Sequence, residues 1–133
     1  MNVRFISHKD EALQALDEAI AQALEMIGSK AAGYVSGLAP ADTGRLRNSY
    51  TWATKRSEGR GFSYTDDNNN VFSYDIGTGV PDDTVCIGTN VEYAVYQELG
   101  TSLIDAQPHL RPGVEDHLDE YKEIARRCLK GQA

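Results

Sequence analysis

Cysteine is scarce in this chain, and the two cysteines lie far apart in the sequence. Only Cys86 and Cys128 occur among the 133 residues. Neither belongs to a CxxC pair or has a histidine at ligand spacing, which excludes a zinc-finger type of site and a disulfide framework. Free cysteine packs as a small apolar side chain in reducing compartments. We therefore predict two buried free thiols.

Basic residues are also fewer than acidic ones. Thirteen basic residues stand against twenty acidic ones, which gives a net charge of −7. This balance argues against a surface that binds nucleic acid tightly through its phosphates. No apolar run approaches the roughly 18 residues of a membrane span, so no membrane contact is expected. Arg4, His8 and Lys9 open the chain without a following apolar stretch, so no secretory signal is expected either.

Catalytic and ligand-binding motifs are missing. The chain contains no P-loop, GxGxxG, HExxH or GxSxG sequence, and no cysteine stands close to a histidine. We predict no catalytic residue, no cofactor and no metal ligand, and hence a protein that is not an enzyme. One catalytic alternative stays open, a small hydrolase that uses Glu98 with His109. It requires the two side chains to meet within hydrogen-bond reach in a cleft.

Two amphipathic stripes predict two long helices. Ser7, with Asp10 three residues later, resembles a helix start, and apolar residues then recur in steps of three and four as far as Leu38. The second stripe should start with Pro112 in the first helical position, where a missing N–H costs nothing. It continues to Leu129.

Alternating residues between the helices predict strands. They occupy residues 50–55, 71–76 and 84–88, and we expect the last two to be antiparallel neighbours. Residues 56–70 are polar and rich in turn formers, which predicts a projecting hairpin or a mobile loop. The chain is therefore expected to be a single domain over residues 1–133 of the α+β class. Both long helices would pack on one face of an antiparallel sheet of three to four strands.

A short helix is predicted at about residues 90–99. Thr89 and Glu92 have the spacing of a capping box, and Gly100 can take the left-handed conformation that ends a helix. Ten residues are too few for a stable isolated helix, so tertiary packing must hold this one. Tyr93, Tyr96 and Leu99 share a face that packs either on the core or on a partner.

Another turn should precede the first strand. Asp42 or Thr43 can cap a single helical turn that exposes Arg45 and Arg47 and points Leu46 inward. Read alone, these arginines favour an ordinary solvated turn.

Three segments in fixed order carry a family resemblance. They are PADTGRLRNS at residues 40–49, IGTNVEYAVYQELGT at residues 87–101 and QPHLRP at residues 107–112. Together they resemble the tail-component family of tailed bacteriophages that is typified by the tenth gene product of a lambdoid phage. His109 stands where the family more often has an aromatic residue, and Gly113 where alanine is more usual. The segment 56–70 also looks longer than the family's usual strand connection.

The resemblance implies a structural protein of a phage or prophage virion. Its members look like neck or tail-completion proteins that form a ring at the head–tail junction, and tail-terminator or minor tail protein is the near alternative. Expected partners are copies of itself and neighbouring neck and tail proteins, with DNA passing through the lumen without specific binding. The protein would reside in the virion and, during assembly, in the host cytoplasm. Candidate contact residues are Arg45, Arg47, Tyr93, Tyr96, Glu98 and Thr101. A monomeric bacterial regulatory or immunity module is the alternative from another class.

Overall fold

The computed structural model describes residues 8–41 and 44–131. Its helices are α1 (Lys9–Leu38), α2 (Arg45–Ser49), α3 (Ala94–Leu99), α4 (Leu110–Glu115) and α5 (Leu118–Leu129), and its strands are β1 (Thr51–Thr54), β2 (Gly61–Thr65), β3 (Val71–Asp75) and β4 (Val85–Gly88). The predicted α+β class and the long N-terminal helix are confirmed. The start signal at Ser7 lies outside the described residues.

Helix α1 is the element on which the other layers pack. Helices α4 and α5, strands β1 and β4, and α2 all contact it. Helix α5 packs antiparallel to α1. The Cys128 thiol donates to Met26 Sδ at one end of the contact, and the rings of Tyr34 and His117 stack with their centres 3.6 Å apart at the other end. The helix ends where the Ala39 N–H donates to the Val35 carbonyl, just before Pro40.

The prediction of one sheet of three to four strands is wrong. Strand β1 pairs with β4 (Thr51 opposite Gly88, Thr54 opposite Val85), whereas β2 pairs with β3 as a separate hairpin. The predicted pairing of residues 71–76 with residues 84–88 is wrong for the same reason. The Asp66 carboxylate accepts the backbone N–H groups of Asn68 and Asn70, which closes a tight turn between β2 and β3. Residues 56–70 thus contain strand β2, which pairs with β3.

The predicted C-terminal helix is two helices. Helix α4 begins at Leu110, so Pro112 is its third residue and not its first, and α5 begins after a break at Asp116 and His117. Pro112 still falls in the first helical turn, where no intrahelical N–H is needed. Tyr121 of α5 donates its hydroxyl to the Gly113 carbonyl at 2.7 Å, which ties the two helices together.

The core lies where α1, α2 and the segment before α3 meet. Val35, Ala39, Leu46, Tyr50 and Val91 are buried there, and Leu110 and Val114 pack against them. At Gly113 a β-carbon would stand 2.6 Å from Val35 Cγ2, so only glycine allows α4 to approach α1 this closely. The departure from the alanine usual in the family therefore has a packing reason.

The two cysteines do not share one environment. Cys128 is buried, as predicted, but Cys86 is exposed, so that prediction is wrong for Cys86. Successive side chains of a strand point to opposite faces. Val85 lies toward α1 near Gly28, and its neighbour Cys86 is therefore turned away.

Candidate functional site

Helix α3 starts later than the capping-box spacing predicts, and the box itself does not form. The Thr89 hydroxyl accepts the N–H of Val91 at 3.1 Å, whereas the Glu92 carboxylate lies 3.3 Å from the Arg45 guanidinium. Tyr93 occupies the cap position, and its side chain makes no capping hydrogen bond. Burial of Val91 accounts for this, because it fixes a turn immediately before the helix.

Gly100 ends α3 and leads into a tightly hydrogen-bonded turn. Its φ is 77°, and its N–H donates to the Tyr96 carbonyl at 2.8 Å. The Thr101 hydroxyl then accepts the N–H groups of Leu103 and Ile104, each at 3.1 Å, while the Thr101 N–H donates to the Ile104 carbonyl at 2.9 Å. These bonds fix the backbone of residues 101–104, which we call the 101–104 turn.

Glu98 anchors this region from the inside. Its carboxylate accepts the backbone N–H groups of His109, Leu110 and Arg111 at 2.8 to 3.1 Å, and so satisfies the first turn of α4 from another helix. Burial raises the pKa of Glu98, but these three hydrogen bonds and the neighbouring His109 together outweigh it, and the pKa lies below its ordinary value. The carboxylate therefore stabilises both the end of α3 and the start of α4.

His109 is fully buried behind Glu98. Its Nδ1 lies 2.9 Å from the Gln107 carbonyl and 3.2 Å from Glu98, and its Nε2 is hydrogen-bonded to the Tyr50 hydroxyl. Burial, and then the charge of Glu98, raises the pKa of Tyr50 to about 12. The hydrolase alternative requires that Glu98 and His109 meet and that they do so in a cleft, and only the first requirement is satisfied. Glu98 and His109 do converge, but the imidazole has no exposed surface to offer a substrate.

The tyrosines of the predicted shared face have different surroundings. Tyr93 is half-buried, packs against the core and lies near the Arg45 guanidinium. Tyr96 is 54% exposed, and its neighbours toward solvent are also apolar. The outward residues, which we call the α3 apolar surface, are Val95, Tyr96, Leu99, Leu103 and Ile104.

The arginine turn is less exposed than predicted. The Arg45 guanidinium lies 4.7 Å from the Phe72 ring centre, and Arg47 donates to the Ala39 carbonyl at 3.0 Å. Both side chains are half-buried, so the prediction that the turn exposes them is wrong, while the inward position of Leu46 is confirmed. The proposed caps at Asp42 and Thr43 lie outside the described residues.

A second surface feature was not predicted from the sequence. An apolar cleft of about 300 Å³ opens between the β1–β4 pair and residues 76–81, and we call it the β1–β4 cleft. None of the described residues that line it is charged; they include Trp52, Ile76, Val80, Pro81, Cys86 and Ile87. Gly77 and Gly79 are typical turn residues, but nothing in the sequence indicates a cleft beside them.

Residues 4–100 match the family described as "Bacteriophage HK97-gp10, putative tail-component". The chain belongs to this phage tail-component family. The matched residues include the arginine turn, the β1–β4 cleft and α3, and they end at Gly100. Neither the curated proteins nor the solved structures gave a match.

Membership of the tail-component family identifies a phage tail protein, a structural class. Within residues 8–41 and 44–131, no cluster of histidine, cysteine and carboxylate side chains could hold a metal ion. None of the helices in that part of the chain is both long and apolar enough to cross a bilayer.

Proposed function

We propose that this tail-component protein acts in the neck or tail-completion region at the head–tail junction, where it forms a ring by contacts between its own copies. The α3 apolar surface is the observation that carries the proposal, because it gives a phage structural protein a surface to dock. Tail terminator or minor tail protein is the alternative, and the family description is compatible with each. Neighbouring neck and tail proteins would bind the two ends of the ring.

The α3 apolar surface has the properties of a contact site. Leu99 is 73% and Leu103 is 93% exposed, which is costly for a protein that stays alone in water. The Thr101 hydroxyl accepts the backbone N–H groups of Leu103 and Ile104, and the Glu98 carboxylate accepts that of His109. The backbone that carries these side chains is therefore already fixed. A partner would therefore lose little conformational entropy in binding them.

The six residues singled out by sequence have distinct roles in this proposal. Tyr96 would contact the partner directly, since aromatic rings provide large contact area at low entropic cost. Thr101 would shape the turn, and Glu98 would hold it in place. Tyr93 and Arg45 would support α3 from the side of the core, and Arg47 would hold the arginine turn against the end of α1.

The net charge bears on the passage of DNA. A ring built from chains of charge −7 would repel phosphates and let DNA pass through the lumen without specific binding. Assembly would take place in the host cytoplasm, and the ring would stay in the virion. A ring with a predominantly basic lumen would contradict this part of the proposal.

Replacing Tyr96 tests the proposal directly. We expect Tyr96→Ala to fold normally, because the side chain is largely exposed, yet to lower the yield of infectious particles roughly tenfold or more by loss of a central contact. The measurement is complementation of a deletion of the gene, counted as infectious particles. Far-ultraviolet circular dichroism and thermal unfolding check the fold.

Val71→Ala is the matched control. Val71 is also an exposed apolar residue, but it lies on β3 and does not belong to the α3 apolar surface. We expect full complementation by this variant. If Tyr96→Ala also leaves ring assembly and virion completion intact, α3 is not an interface.

A further inference from the structure

The 101–104 turn presents one leucine as a rigid apolar projection. Leu103 stands at its tip with almost no contact to its own chain. The turn is braced by the hydrogen bonds of Thr101 and by the Gln107 N–H, which donates to the Gln97 carbonyl at 2.7 Å. A leucine held this way is preorganised for insertion into a cavity.

The β1–β4 cleft is a cavity of suitable size and polarity. Its volume of about 300 Å³ is large enough for a leucine side chain, and its walls are apolar. All three of its lining glycines, Gly77, Gly79 and Gly88, have no atom within 4 Å of where a β-carbon would stand. Gly88 lies on the same face of β4 as the cleft-lining Cys86, so a side chain at this position would enter the cleft.

We propose that Leu103 of one copy inserts into the β1–β4 cleft of the next copy, so that the subunits join head to tail. This inference rests on the proposed ring and names the two surfaces that would build it. Projection and cleft are different parts of the chain, so the contact is heterologous. A heterologous contact closes into a ring when its rotation is suitable, whereas a self-complementary contact stops at a dimer.

Charge favours a second copy as the occupant. Two chains of net charge −7 repel each other over most of their surfaces. The cleft lining carries no charged residue among those described, and residues 101–104 carry none either. Acidic residues that adjoin them in sequence, such as Asp105 after the turn and Asp82 after Pro81, lie beside these surfaces and not within them, so the contact itself joins uncharged residues of two acidic chains.

The small size of the contact fits a subunit that assembles late. Stable pairs bury about 800 Å² on each partner, and one turn in a cleft of this volume covers less. Each subunit of a closed ring makes the contact twice, once with its turn and once with its cleft. The contact would therefore be weak between free chains and would be completed when copies are held together in the particle.

The native thiol at Cys86 gives a direct test. Cys86 is exposed and lines the cleft, whereas Cys128 is buried and is protected from reagents in the folded protein. Ser102→Cys places a second thiol next to Leu103 and leaves that leucine unchanged. We would treat virions carrying this variant with a short bis-maleimide, quench with excess thiol, and resolve the chains by denaturing electrophoresis.

The expected result is a ladder of cross-linked chains that continues beyond the dimer. Combining Ser102→Cys with Cys86→Ser removes the cleft thiol and should abolish all species above the dimer. Placing the second thiol instead at Ser29, an exposed position on α1, should likewise give no species above the dimer with native Cys86. Adding Gly88→Val to Ser102→Cys should also remove the ladder by filling the cleft. Valine suits a strand position, and its β-carbon meets no neighbour there.

Failure of the inference differs from failure of the proposed function. If virions contain the Ser102→Cys protein but give no ladder, or give dimers only, the head-to-tail contact is wrong while the virion role stands. If the wild-type protein is absent from virions, the proposed function is wrong, and the inference is wrong with it.

Discussion

Two faces of the same segment, residues 93–109, are built from different kinds of side chain. The inner face carries polar groups with nearly complete hydrogen bonding, namely Glu98 and His109, beside the half-buried Tyr93. The outer face carries Tyr96, Leu99 and Leu103, which contact little of their own chain. Over this segment, buried hydrogen-bonded polar groups lie on the inner face, and large exposed apolar side chains lie on the outer face.

The two faces have different tasks. Buried polar groups with all their partners fix one conformation of the backbone, and their loss is costly. Exposed apolar groups add little to the stability of the monomer but favour association. Substitutions on the inner face should therefore change stability first, and substitutions on the outer face should change assembly alone.

The largest effect on stability is expected from Glu98→Ala. This substitution removes the acceptor of three backbone N–H groups at the start of α4. We expect the free energy of unfolding to fall by about 2–3 kcal/mol, as measured by urea denaturation. Glu98→Gln keeps one acceptor oxygen and should lose less. An unchanged midpoint for Glu98→Ala would refute the anchoring role of the inner face.

Acid should reproduce part of this loss. The pKa of Glu98 is lower in the folded chain than its ordinary value of 4.5, so its contribution is present above that value and disappears as the pH falls below it. The unfolding free energy of the wild type should therefore drop more steeply below about pH 4.5 than that of Glu98→Gln. Parallel curves for the two proteins would show that the carboxylate charge is irrelevant.

A smaller loss is expected from Gly100→Ala, at the joint between the two faces. Gly100 has a positive φ, and an added β-carbon would stand 2.7 Å from the Ala106 backbone nitrogen. We expect a loss of about 1–2 kcal/mol in thermal or urea unfolding, together with defective assembly, because the turn that carries Leu103 would shift. Gly33→Ala is the control. Gly33 is an exposed helical glycine with open space around it, and alanine there should be neutral or slightly stabilising.

Local patterns in the sequence were sufficient for the long N-terminal helix but not for the sheet. The stripe that ends at Leu38 predicts α1 because helical periodicity is a property of neighbouring residues. Strand pairing depends on which edge is free. The Asp66 turn joins β2 to β3 and leaves β4 to pair with β1. The alternation of residues within one strand predicts the strand but not its partner.

The position of the candidate site was predictable from the sequence, but its contacts were not. Gly100 and the tyrosine spacing located α3, but the sequence could not assign Tyr93 to the core and Tyr96 to solvent. The partners of Glu98 are backbone groups 11 to 13 residues away, which leave no side-chain signal in the sequence. His109 shows the same limit, because its fit against Tyr50 becomes visible only when α2 and α4 are brought together.

The smallest effect on stability is expected from Leu103→Ser, on the outer face. Because this leucine is almost entirely exposed, the free energy of unfolding should change by less than about 0.5 kcal/mol in urea denaturation. Val91→Ala, at a buried apolar position, should cost about 2 kcal/mol in the same assay. A loss of more than about 1 kcal/mol for Leu103→Ser would mean that the turn packs on its own chain. The outer face would then stabilise the monomer, and the division between an anchoring face and an assembling face would have to be abandoned.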